Sequence, residues 1–460
     1  MRSEWSEHLL EELCTEITVG YVGSMTKEYQ ESGIPFFRSK NIREYEIDWT
    51  DIKYVSREFH NKLQKSALKP GDVAVVRTGK PGIACVIPHD VKEANCSDLI
   101  IIRVNPERLS AHYLCFYMNS VANHQISSRL VGAVQQHFNV GAAKKIVVKA
   151  PNLEGQTQIV KVLKDLSDKI QLNQQVNQTL EQMAQAIFKS WFVYFEPVKA
   201  KIAALEAGGS EENALLAAMQ AISGKDAATL ARMQTEHPDK YAKLRTNAEL
   251  FPSAMQDSEL GLIPVGWYCL ALDEIAKYQN GLALQKFRPE NENDYLPVVK
   301  IAQLKKGNAD GAEKASPAIK PECIIENGDV VFSWSGSLMV DTWCGGKAAL
   351  NQHLFKVTSN KYPKWLYFQF TRHHLNDFQR IAADKAVTMG HIKREHLHRA
   401  KCAIPDKHLI ENAGPSLQSI LEKQIELRLE VNTLTKLRDT LLPKLLSGEL
   451  ALSIYESEVA

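Results

Sequence analysis

Three short stretches of the chain gather polar side chains in loops, two of them with cations beside amide or hydroxyl groups and the third with amide and imidazole groups. They are Arg38, Ser39, Lys40 and Asn41; then Arg77, Thr78 and Lys80 around Gly79; then Gln135, Gln136, His137 and Asn139. A later set is Lys300 and Gln303; Ser333, Trp334 and Ser335 before Gly336; Asn351, Gln352 and His353; and His391, Lys393 and Arg394. Cations hold phosphate oxygens, while amides and hydroxyls reach the hydrogen-bonding edges of bases. Any one of these residues could be a solvated turn residue. As a set of loops they point to DNA contact, with Arg38, Lys40, Asn41, Arg77, Thr78, Lys80, Gln135, Gln136, His137, Lys300, Gln303, Ser333, Trp334, Ser335, His391, Lys393 and Arg394 as the candidates.

The two sets belong to one pattern written twice. LKPGDVAVVRTG (Leu68–Gly79) returns as IENGDVVFSWSG (Ile325–Gly336), about 257 residues later. IPFFRSKNI (Ile34–Ile42) matches LPVVKIAQL (Leu296–Leu304), AHYLCFYMNS (Ala111–Ser120) matches PKWLYFQFTR (Pro363–Arg372), and Val134–Pro151 matches Thr388–Pro405. The scaffold repeats while the loop side chains change: Val-Arg-Thr-Gly becomes Ser-Trp-Ser-Gly. Two different half-sites would need such an arrangement.

The elements that must position these loops are short. β-Like runs at Ile34–Phe37, Val73–Val76, Ile83–Ile87 and Leu99–Val104 are punctuated by glycine turns, and a helix is expected over Ala111–Gln125. Strands with a few helices give an α+β class. Each copy runs into a long helix. In the first, from about Leu153 to Tyr194, Ile159, Leu163, Leu166, Ile170, Leu180, Ala184 and Ile187 alternate four and three apart, with Asn173 and Asn177 in the same seam. The second repeats the spacing at Leu417, Ile420, Gln424, Leu427, Val431, Leu434, Arg438, Leu441 and Leu445. Such spacing indicates a coiled coil whose register is held by buried polar groups; an amphipathic helix buried on its own domain is the plainer alternative. The expected domains are residues 1–152, a helix over 153–195, a helical linker with mobile joints over 196–262, a second globule over 263–408 and a helix over 409–450.

A formal net charge of +1 over 460 residues excludes a uniformly basic nucleic-acid binder, so a DNA site must be a local patch or share charge with partners. Eight cysteines without a C-x-x-C pair fit neither a zinc site nor a disulfide framework, and suggest reduced thiols in a cytoplasm. No apolar run reaches membrane-spanning length and the first residues do not resemble a signal peptide, so no membrane partner is expected. No P-loop, H-E-x-x-H, G-x-S-x-G or dinucleotide-binding string occurs, and Ser24-x-x-Lys27 lacks its partner motifs. His391, His396 and His398 invite a metal, but Lys393, Arg394 and Arg399 beside them would repel a cation. The reading is therefore a chain with no catalytic residues, no metal and no cofactor of its own.

The doubled architecture resembles the DNA-specificity subunit of Type I restriction–modification systems, over essentially the whole chain. The carriers are GDVAVVRTG and GDVVFSWSG, the helix entry APNLEGQTQIVKVLKDLSDKI, the helix ends QAIFKSWFVYFEPV and LRDTLLPKLLSGEL, and the entry SELGLIPVGW to the second globule. Two features depart from the pattern: Ala413-Gly414-Pro415 replaces the second Leu-Glu…Gln element, and 196–262 is longer than in compact forms. The resemblance implies two target recognition domains, each reading half of a bipartite site in double-stranded DNA. It implies long helices packed as an antiparallel coiled coil in a pseudo-two-fold repeat. Two methyltransferase subunits using S-adenosylmethionine would dock on this frame, and restriction–translocase subunits using ATP and Mg2+ would complete a nuclease. A methyltransferase–nuclease fusion is a competing reading, opposed by the missing catalytic domains. A purely structural coiled-coil adaptor is another, and its loops would tolerate change without altering DNA preference.

Overall fold

A computed structural model of the chain describes residues 5–25, 27–130, 137–291, 293–384 and 390–450. It divides into two compact units, residues 1–171 with 433–460 and residues 172–432.

In the first unit the strand Leu99–Val104 pairs antiparallel with Val73–Val76 on one side and Cys14–Val19 on the other, and Ala84–Val86 extends the sheet beyond Val73–Val76. Alternation makes these strands serve two cores. Val73, Val75, Ile100 and Ile102 pack with Tyr113, Leu114 and Tyr117 of the helix Ala111–Asn119. Ala74, Val76, Leu99 and Ile101 turn the other way, toward Phe37, Leu68, Ala94 and Cys96. Phe37 and Cys96 come from a five-stranded sheet in which Ile34–Phe37 runs parallel to Ala94–Cys96. The helix expected over Ala111–Gln125 is broken at Ser120 and resumes at Asn123–Ser127.

The second unit repeats this topology. Leu354–Thr358 lies between Lys277–Asn280 and Val330–Ser333, with Met339–Thr342 outermost, and Leu296–Val299 runs parallel to Ala348–Leu350. Val330 and Phe332 face the helix Lys364–His373, while Val331 faces Trp343 and Leu350. The sequence repeat is thus a repeat of strand order and register.

The long helices span Leu153–Phe192 and Lys407–Ser447. Each gives opposite halves to the two units. In the first unit Ile159 and Leu163 share a core with Leu442, Leu445 and Leu446. In the second, Ala184 and Phe188 share one with Leu417 and Leu421, and Gln424 donates to Glu181 at 3.2 Å. Every residue of the two heptad seams is buried or half-buried, Asn173 and Gln424 included. Ala413-Gly414-Pro415 does not disturb the second helix. Gly414 lies under the Trp365 indole, where a Cβ would approach to 2.9 Å.

Residues 196–249 form four helices, Glu196–Glu206, Glu211–Ser223, Ala227–Glu236 and Pro238–Glu249, around Ala218, Met219, Leu230 and Ala248. The joints are capped turns, with Ser210 and Asp226 accepting from backbone amides and Gly224 in the left-handed conformation that ends a helix. Among the described residues, no helix is long and apolar enough to cross a membrane.

Candidate nucleic-acid interface

The turn after Val73–Val76 carries Arg77, Thr78 and Lys80, with Gly79 at φ 89° allowing the reversal. The short 3-10 turn Ser39–Asn41 follows Ile34–Phe37. These loops meet at Asp98, which sits at φ 56° just before Leu99–Val104. The Ser39 hydroxyl lies 3.0 Å from the Asp98 carbonyl oxygen and 3.2 Å from its Oδ2. The Thr78 hydroxyl lies 3.2 Å from Asp98 Oδ1 and 2.8 Å from His137 Nδ1, and Arg77 Nη1 stands 4.0 Å from Oδ1. A β-bridge joins the Thr78 and His137 backbones. Two loops far apart in sequence therefore converge on one carboxylate, and Thr78 ties the third, through His137, to the same junction. Sequence reasoning passed over Asp98, which lies in a stretch with no cation or glycine turn to mark it. Gln135 and Gln136 lie outside the described residues.

The second unit builds the same junction with other groups. Ser335 takes the place of Thr78 and is bridged to His391 as Thr78 is to His137. His353, just before the strand Leu354–Thr358, takes the place of Asp98, and Ser335 Oγ lies 2.9 Å from its Nδ1. Trp334 replaces Arg77. Its ring lies 6.0 Å from His353 and 6.3 Å from His391, and its Nε1 donates to the Gln352 carbonyl.

Among the cations around these junctions, Arg38, Lys40 and Lys300 are paired with carboxylates. Asp51 takes hydrogen bonds from Lys40, Lys53 and Arg38; those from Lys40 and Lys53 hold its carboxyl well below the usual range. Arg38 also lies over the Tyr29 ring. Lys300 pairs with Glu313. Arg394 lies over Phe355 and donates to the Tyr278 carbonyl at 3.1 Å. Lys80 is exposed beside Trp49 and Arg43, and Lys393 is exposed at the start of the turn Arg394–Arg399.

Four candidates do not face solvent. Asn41 is fully buried: its Oδ1 accepts from Arg38 N, and its Nδ2 donates to the Asp48 and Thr50 carbonyls. Gln303 is its counterpart, buried with Oε1 accepting from Lys300 N. Ser333 is buried in the strand, donating to the Ser335 carbonyl. These side chains satisfy backbone groups inside the loops and so shape them, which corrects the expectation that they contact DNA. Ser335 is also buried, and its hydroxyl acts through His353. His396 is buried as well, with Nδ1 accepting from Lys393 N. Among the described residues no group of His, Cys, Asp or Glu is arranged to hold a metal.

The family model described as "Type I restriction modification DNA specificity domain" matches residues 2–182 and again 264–423, most of the chain and once per repeat. The chain belongs to this specificity-domain family. It is 30% identical over 404 residues to the Type I restriction enzyme HindI specificity subunit of Haemophilus influenzae, covering 84% of this chain and 88% of that one. It is 22% identical over 438 residues to the MjaIX specificity subunit of Methanocaldococcus jannaschii, covering 92% and 88%. The crystal structure of the Type I restriction–modification S subunit from M. genitalium superposes with a TM-score of 0.50 at 12% identity, covering 96% of each chain. That likeness is one of fold. For this specificity-domain protein, the two matched regions coincide with the two copies of the loop junction.

Proposed function

We propose that this chain is the DNA-specificity subunit of a Type I restriction–modification complex. Each globule reads one half of a bipartite site in double-stranded DNA. Two methyltransferase subunits dock on its frame and supply the chemistry with S-adenosylmethionine; restriction subunits bring ATP and Mg2+. The chain itself catalyses nothing, and it acts in the cytoplasm. The observation that carries this reading is a single junction built twice with different side chains. Asp98, Arg77, Thr78 and His137 stand in one copy, and His353, Trp334, Ser335 and His391 in the other. Direct readout requires that kind of variation on a fixed scaffold, because base identity is read by side-chain donors and acceptors. Sequencing of methylated bases, with the methyltransferase partners present and this chain supplied or withheld, tests it. A two-part motif is expected only when the chain is supplied. Methylation of the same motif by the partners alone would overturn the proposal, as would methyl transfer by the isolated chain.

A further inference from the structure

Thr78 has one hydroxyl hydrogen and two close partners, Asp98 Oδ1 at 3.2 Å and His137 Nδ1 at 2.8 Å. An ionised carboxylate only accepts. Both contacts are satisfied in one way: Thr78 donates to Asp98, and His137 donates its Nδ1–H to Thr78. Nε2 is then the acceptor of a neutral His137 ring. Ser39 is tied to the same residue through the Asp98 carbonyl or Oδ2, and Arg77 approaches Oδ1 at 4.0 Å. The His137 ring itself is part-exposed.

Resting on the proposed function, we propose that Asp98 is a positioning residue for the first half-site. It fixes the proton on His137 Nδ1, so that Nε2 is offered as an acceptor to an exocyclic amino group, adenine N6 or cytosine N4. These two groups are the base-edge donors of the major groove. The second copy has no carboxylate at this place. Ser335 meets His353 Nδ1 at 2.9 Å, and either tautomer satisfies that contact. The first junction is committed to one hydrogen-bonding pattern and the second is not.

Two variants test this, Asp98→Ala and the near-isosteric Thr78→Val, each in the full chain. Ring nitrogen NMR at alkaline pH, with His137 assigned through a His137→Gln variant, reports the tautomer. Wild type is expected to hold Nδ1–H, and both variants to shift toward Nε2–H. Methylation mapping with the assembled methyltransferase is expected to show the same base pair of one half-site relaxed roughly tenfold in both variants, with the other half-site unchanged. Should Asp98→Ala not fold, Thr78→Val carries both readouts. A wild-type tautomer in Thr78→Val, or an unchanged motif, would overturn the role of Asp98. Exchange of the whole first globule separates this from failure of the proposed function. If that exchange leaves both half-sites intact, DNA reading by the globule is itself wrong.

Discussion

Thr78 and Ser335 occupy one position in two copies of one turn, and each hydroxyl is tied to a histidine. Around them the charge changes: Arg77 and Asp98 in the first copy stand where Trp334 and His353 stand in the second. The strands beneath keep their order and register. A scaffold that satisfies its own backbone leaves the loop side chains free to vary, because altering them breaks no ladder hydrogen bond. The starts of the long helices show the same freedom. Gln156 is buried, accepts from Ser110 N at 2.8 Å and donates to the Arg108 and Pro151 carbonyls. Near the start of the second long helix, Ile410 lines an apolar groove of about 640 Å³ with Tyr268, Trp365 and Gly414. One copy closes its helix entry with hydrogen bonds, the other with an open apolar surface.

The largest test of this comparison is exchange. Replacing residues 1–152 with the equivalent segment of another family member should change one entire half-site and leave the other intact, read by methylation mapping. A change in both would mean one composite reading surface.

Acid should separate the copies next. Burial pushes His374 down to about 4, and its Nε2 contacts the Lys401 carbonyl at 3.0 Å. The unfolded chain takes up this proton below about pH 6.5, whereas the folded chain resists until about 4. The contribution is therefore whole above pH 6.5 and falls by about 3 kcal/mol as the pH drops to 4. The matching residue of the first copy is the buried Ala122. Hydrogen exchange should show Lys364–His373 losing protection over this range more than Ala111–Asn119, with His374→Gln flattening the difference. Equal losses in both helices would show that His374 is not the cause.

The helix entries should differ less. Gln156→Ala leaves buried backbone groups without partners and should cost about 2 kcal/mol. Ile410→Ala should cost about 1 kcal/mol, since that side chain is only partly buried. Denaturant unfolding of the two variants gives the ranking, and a reversed order would break the contrast.

The smallest effects belong to single surface cations. Lys40→Ala or Arg77→Ala should weaken DNA binding by the complex. Each lost phosphate contact should lower the slope of log affinity against log salt by about 0.9. Unchanged affinity in both would remove these loops from the DNA face.

The repeat was legible in the sequence because core packing constrains it. Residues at 73–75 and 330–332 are buried on both sides, so their apolar character survives in both copies. The heptad seams were legible for the same reason, down to the buried Asn173 and Gln424. The ends of Val73–Val76 followed from the turn residues Gly71-Asp72 and Thr78-Gly79 that bound it. The sequence by itself thus determined the α+β class, the duplication, the long helices and which loops carry the polar chemistry. Only the tertiary structure decided which of those polar groups are spent. Asn41, Gln303 and Ser333 have the same side-chain chemistry as a base reader, and burial against backbone groups removes them from that role. It also decided that Asp98, unmarked in the sequence, joins Ser39, Thr78 and Arg77. Convergence of segments 20 to 59 residues apart depends on strand pairing, which no local spacing encodes.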